Sequence, residues 1–154
     1  MTYYLSLGSN ISPRHHYIDE ACRLLNERCG TITRRSSDYF SMPVGYESEH
    51  EYLNICVCLC ADMSPLDLLY ATQQIERDLG RTHKSDSPLP LSSPLTEGVR
   101  GCHYSDRTID IDLLCAEDEQ GQPVTVQTAE LLLPHPRMNE RAFVTVPLAQ
   151  IRDL

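Results

Sequence analysis

Tyr52-Leu-Asn-Ile-Cys-Val-Cys-Leu-Cys-Ala-Asp62 alternates strictly, with Leu53, Ile55, Val57 and Leu59 at odd positions and Tyr52, Asn54, Cys56, Cys58 and Cys60 at even ones. Successive side chains of an extended strand point to opposite faces, so one face is aliphatic and the other carries an aromatic, an amide and three thiols. The flanking segments supply helices for the aliphatic face. Upstream, Thr2 to Leu7 favours a strand that Gly8-Ser9-Asn10 breaks. Ser12 then caps a helix with Pro13 in its first turn, in which Ile18, Ala21, Cys22, Leu24 and Leu25 recur at helical spacing until Cys29-Gly30. Downstream, Ser64-Pro65 opens a second helix carrying Leu66, Leu69, Tyr70, Gln73 and Ile75 to Leu79, ending at Gly80.

Thr31 to Ser41 reads as a further strand, followed by the turn Met42-Pro43-Val44-Gly45 and an acidic loop from Glu47 to Glu51. Arg107-Thr-Ile-Asp-Ile-Asp-Leu-Leu114 reads as another, and the acidic turn Glu117 to Pro123 followed by Val124 to Val126 as a hairpin. In order these elements form β-α-β-β-α-β with a hairpin extension, the pattern of a ferredoxin-like α+β sandwich with an antiparallel sheet. Both helices are expected on the aliphatic face. Thr82 to Gly101 is Ser/Pro-rich, and loops of that length without structure of their own are functional lids or disordered segments.

A chain of 154 residues with 41% apolar and 23% charged residues suits one domain, residues 1–154, around one core. Its formal net charge of −9 argues against general binding to nucleic acid or acidic membranes, because phosphate affinity depends on accumulated Lys and Arg. No apolar run approaches the roughly 20 residues of a membrane span, and no basic start precedes one. The expectation is a cytoplasmic monomer acting on small molecules. The seven cysteines form no Cys-x-x-Cys pair, which points to reduced packing thiols rather than zinc ligands.

Asp110 and Asp112 share one face of their strand while Ile109, Ile111 and Leu113 share the other. Two carboxylates roughly 7 Å apart suit Mg2+, a hard cation that accepts oxygen ligands and keeps water or phosphate oxygens. Solvated acids on an edge strand would give the same pattern. The chain has no Walker-type phosphate loop and no Gly-x-Gly-x-x-Gly turn, so any nucleotide phosphates need other cations. Arg81, Arg107, Arg137 and Arg141 fall beside turns or motif residues, and Arg forks match phosphate oxygens. A surface ion pair is nevertheless the commoner fate of any single Arg. His135 lies between two prolines that restrict its backbone, and Tyr52 and Phe143 are the aromatics nearest the polar elements.

Together these stretches resemble the 6-hydroxymethyl-7,8-dihydropterin pyrophosphokinase family. The resemblance rests on Tyr4-Leu-Ser-Leu-Gly-Ser-Asn10, Pro43-Val-Gly45 with Tyr52-Leu-Asn54, Gln73-Gln-Ile-Glu76 with Gly80-Arg81, Arg107-Thr-Ile-Asp-Ile-Asp112, and Pro134-His-Pro-Arg-Met138 with Arg141-Ala-Phe143. It implies an ATP-dependent diphosphokinase that moves diphosphate from ATP to the pterin hydroxymethyl group, releasing AMP, in folate biosynthesis. It further implies two Mg2+ ions on Asp110 and Asp112, and phosphate contacts from Arg81 and Arg107. The pterin would contact Pro43, Val44, Gly45, Tyr52, Asn54 and Phe143; Gln73, Glu76, His135 and Arg141 would line the ATP side.

The sequence departs from the family pattern in the length of the segment between Arg81 and Arg107 and its lack of Trp, in Ser105-Asp106, which puts an extra acid before Arg107, and in stopping soon after Pro147-Leu148, so that any C-terminal element common in the family is expected to be short or absent. Two other readings remain at this level: a binding module that has lost turnover, and an aldolase acting on a related pterin. The first is disfavoured by the retained Asp and Arg residues. The second needs no Asp-x-Asp pair.

Overall fold

The computed structural model describes residues 1–9, 13–41, 52–80 and 108–152. In chain order the elements are β1 (Thr2–Ser9), α1 (Arg14–Arg28), β2 (Gly30–Arg35), β3 (Tyr39–Ser41), β4 (Tyr52–Ala61), α2 (Pro65–Gly80), β5 (Asp110–Glu117), β6 (Val126–Gln127), β7 (Leu132–Leu133) and α3 (Ala142–Ile151). Helices and an antiparallel sheet are thus mixed along the chain. β1 pairs antiparallel with β4 on one side and β5 on the other, and β2 and β3 both pair with β4, giving the order β2-β4-β1-β5. β6 and β7 form a separate two-stranded hairpin. None of the described helices is long and apolar enough to cross a membrane.

The alternation of β4 decides both faces. Leu53, Ile55, Val57 and Leu59 join Tyr3, Leu5 and Leu7 of β1 and Ile111 and Leu113 of β5 in one core, closed by Ile18, Ala21 and Leu25 of α1 and Leu68 and Ile75 of α2. The acceptor on Ser64 begins α2 as expected, its Oγ receiving the Asp67 N–H at 3.2 Å. The buried stripe of that helix is Leu68, Thr72 and Ile75, while Tyr70 is exposed. Gly30, where α1 hands over to β2, has no room for a side chain: a Cβ there would lie 2.0 Å from the Cys60 carbonyl oxygen.

Several expectations need correction. β1 runs through Gly8 to Ser9 rather than ending at Leu7, because both residues keep partners on β4. Pro13 stands at the N-cap position of α1, with no side-chain cap, its carbonyl receiving the N–H groups of His16 and Tyr17; Ser12 lies outside the described residues. The Thr31–Ser41 strand is broken in two around Ser36. There the Cys56 N–H donates to Ser36 Oγ and the Ser36 N–H to the Cys56 carbonyl, both at 2.9 Å, so a hydroxyl replaces one rung of the ladder. The expected hairpin after β5 amounts to a single bridge, Glu117 to Pro123, around a turn whose N–H groups Asp118 gathers.

The largest departure is α3, a helix that the sequence reading did not assign. Val144, Leu148 and Ile151 recur one helical face apart and cover Tyr4, Cys56, Cys58, Leu114 and Cys115 on the sheet face opposite α1 and α2. Pro147 inside this short stretch disguises the helical period. Arg34 Nη1 donates to the Ile151 carbonyl at 3.0 Å and the Ser37 N–H to Gln150 Oε1 at 2.7 Å, tying the end of α3 to the β2–β3 edge. Half of the face expected to be open is therefore a second core.

The thiols behave as packing groups. Cys22, Cys29, Cys56, Cys58 and Cys115 are free and buried, and Cys60 is free and exposed. Burial pushes the Cys56 thiol up to about 12, so it stays protonated.

Candidate active site

Toward the Tyr52 end of the sheet, β1, β4 and β5 bring two short rows into register. β1 stands between the other two strands, so Tyr52 and Asn54 are not next to the aspartates but one strand removed. Asn54 faces Gly8, and Gly8 faces Asp110; one step along, Cys56 faces Ser6, and Ser6 faces Asp112. Residues directly paired across antiparallel strands lie on one face. An amide, a bare glycine and a carboxylate thus form one line across three strands.

Each member is held by its neighbours. Asn54 is buried, and its Nδ2 donates to Ser41 Oγ at 2.9 Å and to the Tyr39 carbonyl at 3.2 Å. That fixes the amide so that Oδ1 turns toward Gly8. A Cβ on Gly8 would sit 3.0 Å from that oxygen and 3.6 Å from the Tyr52 ring, so glycine keeps the floor between Asn54 and Asp110 low. Sequence reading took Gly8 as a strand break and missed this role, along with Ser6 and Ser41. A glycine inside a β-favouring run is itself a sign of close approach by a ligand or another backbone, and would have pointed to it.

Asp110 is half-buried and Asp112 exposed, both at the start of the edge strand β5. Between them the Ile111 N–H donates to Glu76 Oε2 of α2 at 2.7 Å. Among the described residues no third His, Cys, Asp or Glu joins the pair in a metal-binding group. Two carboxylates with hard oxygen donors and no built cage fit Mg2+, which takes one or two protein carboxylates and completes its shell with water and phosphate.

A cavity of about 330 Å³ opens beside this edge. Asp112 and His135 line it together with Leu69 of α2, Leu113, and the Thr128–Leu132 turn between β6 and β7. His135 is hung from β5 by its N–H, which donates to the Leu114 carbonyl at 2.7 Å. Its Nδ1 accepts the Arg137 N–H at 3.1 Å, which leaves Nε2 as the protonated nitrogen of the neutral ring. Burial, and then the positive charges of Arg141 and Arg137, hold its pKa below the ordinary histidine value. Arg141 precedes α3, with its guanidinium 5.5 Å from the centre of the Phe143 ring, and Phe143 packs half-buried against the core beneath that helix.

The structure therefore brings Tyr52, Asn54, Asp110 and Asp112 to one face, and His135 to a cavity shared with Asp112. Arg141 and Phe143 stand together at the start of α3, which lies on that same face. Gln73 is exposed on α2, one turn beyond Leu69. Pro43, Val44, Gly45, Arg81, Arg107, Asp106 and the 82–101 segment lie outside the described residues.

Comparison with known proteins bears on what this arrangement is. The family model of 7,8-dihydro-6-hydroxymethylpterin-pyrophosphokinase (HPPK) matches residues 4–153. A 2-amino-4-hydroxy-6-hydroxymethyldihydropteridine pyrophosphokinase of Porphyromonas gingivalis is 42% identical over 148 residues, covering 96% of this chain and 88% of the relative. One of the same name from Bacillus subtilis is 39% identical over 149 residues, covering 96% of this chain and 76% of the relative. The crystal structure of an HPPK-DHPS in complex with substrates matches with a TM-score of 0.60, over 97% of this chain and 40% of that one; at 14% identity it speaks to the fold alone. With its Asp-x-Asp strand, its Tyr52–Asn54 row and a match from residue 4 to residue 153, the chain belongs to the 7,8-dihydro-6-hydroxymethylpterin-pyrophosphokinase family.

Proposed function

We propose that the chain performs its family's reaction on the sheet face described above. Diphosphate passes from ATP to the hydroxymethyl group of 6-hydroxymethyl-7,8-dihydropterin, and AMP is released, a step of folate biosynthesis. The observation that carries this placement is the register of Asn54, Gly8 and Asp110, with a hydrogen-bonding amide and a carboxylate at the two ends of a bare floor.

In this reading the pterin lies toward Asn54, whose fixed Oδ1 accepts from the donor edge of the heterocycle. Tyr52 and Phe143 stack on its faces, and backbone groups of Pro43, Val44 and Gly45 read the remaining edge. The nucleoside end of ATP occupies the cavity between α2 and the β6–β7 turn, near Gln73. His135 offers its Nε2 hydrogen, and Arg141 its positive charge, to the phosphate chain that passes Asp112. Arg81 and Arg107 steady the transferred phosphates.

The hydroxymethyl oxygen attacks the β-phosphorus in line. The new O–P bond forms as the bond from that phosphorus to the oxygen bridging to the α-phosphate breaks; AMP keeps the bridging oxygen and the hydroxyl proton passes to solvent water. Asp110 and Asp112 would hold two Mg2+ ions, which would supply charge neutralisation on the triphosphate and a more acidic acceptor hydroxyl. The protein's own share is positioning and exclusion of water.

Taking β2 and β3 as one broken strand, the order of elements is that of a ferredoxin-like sandwich, which is our reading of the architecture. We further propose a single domain acting as a cytoplasmic monomer. Purified protein is expected to form AMP from ATP only when hydroxymethyldihydropterin and Mg2+ are both present. AMP release without the pterin, or none with all three, overturns the proposal.

A further inference from the structure

We infer that Glu76 is a positioning residue for the Asp110–Asp112 pair rather than a contact for the nucleotide. The inference rests on the reading that these aspartates hold Mg2+. Among the described residues β5 is the last strand on its side of the sheet; the His135 and Val124 N–H groups take its Leu114 and Ala116 carbonyls, but no described strand pairs outside its first residues. Only the Asp110–Glu117 stretch is regular, and the two aspartates occupy its first and third positions, where a strand end frays most easily.

At the residue between them, the Ile111 N–H donates to Glu76 Oε2 at 2.7 Å. A bond from a backbone N–H to an ionised carboxylate is among the stronger hydrogen bonds. Its reach is long in sequence, from the last turns of α2 to the first turn of the strand, and α2 is itself anchored in the main core by Leu68 and Ile75. Ile111 is also anchored there, with 5% of its surface exposed. The carboxylate thus closes the open edge at the one backbone group flanked by both metal-binding side chains. Because those side chains alternate with Ile111 about a rigid backbone, fixing its N–H fixes the direction in which both carboxylates leave the sheet.

The test compares Glu76→Ala, which removes the acceptor, with Glu76→Gln, which keeps an acceptor oxygen without the charge. Amide hydrogen exchange of the ligand-free protein is read at Ile111 and, as an internal reference, at Leu113. The Mg2+ concentration giving half-maximal AMP formation is read at saturating ATP and pterin, and thermal unfolding reports the integrity of each variant. In Glu76→Ala, exchange at Ile111 is expected to quicken by about tenfold or more, with Leu113 unchanged. The Mg2+ requirement is expected to rise by a similar factor, and Glu76→Gln should restore both.

Unchanged exchange at Ile111 in Glu76→Ala overturns the inference. A Glu76→Gln variant as impaired as Glu76→Ala also overturns it, because the negative charge and not the acceptor would then matter. Asp112→Asn separates this from the underlying reading: an unchanged Mg2+ requirement there removes the metal role of the aspartates. A raised requirement in Asp112→Asn beside an unchanged one in Glu76→Ala removes only the positioning role.

Discussion

Asp112 stands exposed opposite Ser6, while Asn54, two strands away on the same face, is buried with its Nδ2 held by Ser41 and Tyr39. The contrast suits the roles proposed for them, since a cation ligand must reach solvent and phosphate whereas a recognition amide must not rotate. Asp110→Ala or Asp112→Ala is expected to lower AMP formation by about two orders of magnitude or more, leaving the unfolding midpoint near that of the parent protein. Steady-state rates beside a urea melt check both halves; near-parental turnover in either variant would make the acids ordinary surface. His135 carries a pH signature. Its folded pKa lies below its ordinary value of 6.5 through burial first and the two arginines second, so the unfolded chain binds the proton more readily. The stability this group contributes is complete above about pH 6.5 and is lost as pH falls through the folded value. His135→Gln cannot titrate, and its unfolding midpoint is expected to fall less than the parent's between pH 7 and pH 5.5.

At the scale of elements, α3 has two tasks. Its buried side chains cover the thiol face of β1, β4 and β5, and in the proposed function its start brings Arg141 and Phe143 to the substrates. The Cys56 thiol donates to the Val144 carbonyl at 3.7 Å, a weak bond across that seam. Leu148 is 6% exposed in the middle of the contact, and Leu148→Ala is expected to cost about 2–5 kcal/mol in denaturant unfolding. It should also make Cys56 and Cys58 react with a thiol reagent that in the parent protein, among the six described cysteines, modifies Cys60 quickly and the others slowly. Equal labelling of Cys56 in parent and variant would show that α3 does not guard that face.

For the whole molecule, the net charge of −9 sets a problem that the site must solve locally, because ATP is itself an anion. Binding should therefore depend on the divalent cation and on the cations gathered near His135. A non-hydrolysable ATP analogue with Mg2+, at about 100 times its Kd, is expected to stabilise the fold by about 2.7 kcal/mol. Differential scanning calorimetry should show that gain disappearing in the Asp110→Ala, Asp112→Ala double variant. An equal gain in both proteins would place the nucleotide away from the aspartates.

Much of this was legible locally. The alternation of Leu53, Ile55, Val57 and Leu59 with Asn54, Cys56 and Cys58 assigned each residue its face, since strand periodicity depends only on backbone geometry. The Ile109–Leu113 stretch gave the aspartates a common side for the same reason, and the motifs around Asn54, Asp110 and His135 carried the family. What tertiary structure alone decided is which strands meet and what covers them. Gly8 became the floor of the site only because β1 lies between β4 and β5, a pairing made by residues roughly fifty to a hundred positions apart. Glu76, a candidate nucleotide contact by sequence, also accepts the Ile111 N–H because α2 packs beside the start of β5. α3 closed a face expected to be open because burying Val144, Leu148 and Ile151 against the thiols outweighs the disadvantage of Pro147 in a short helix. Long-range contacts of this kind leave no local period in the chain, so sequence placed the residues on faces and folding placed the faces together.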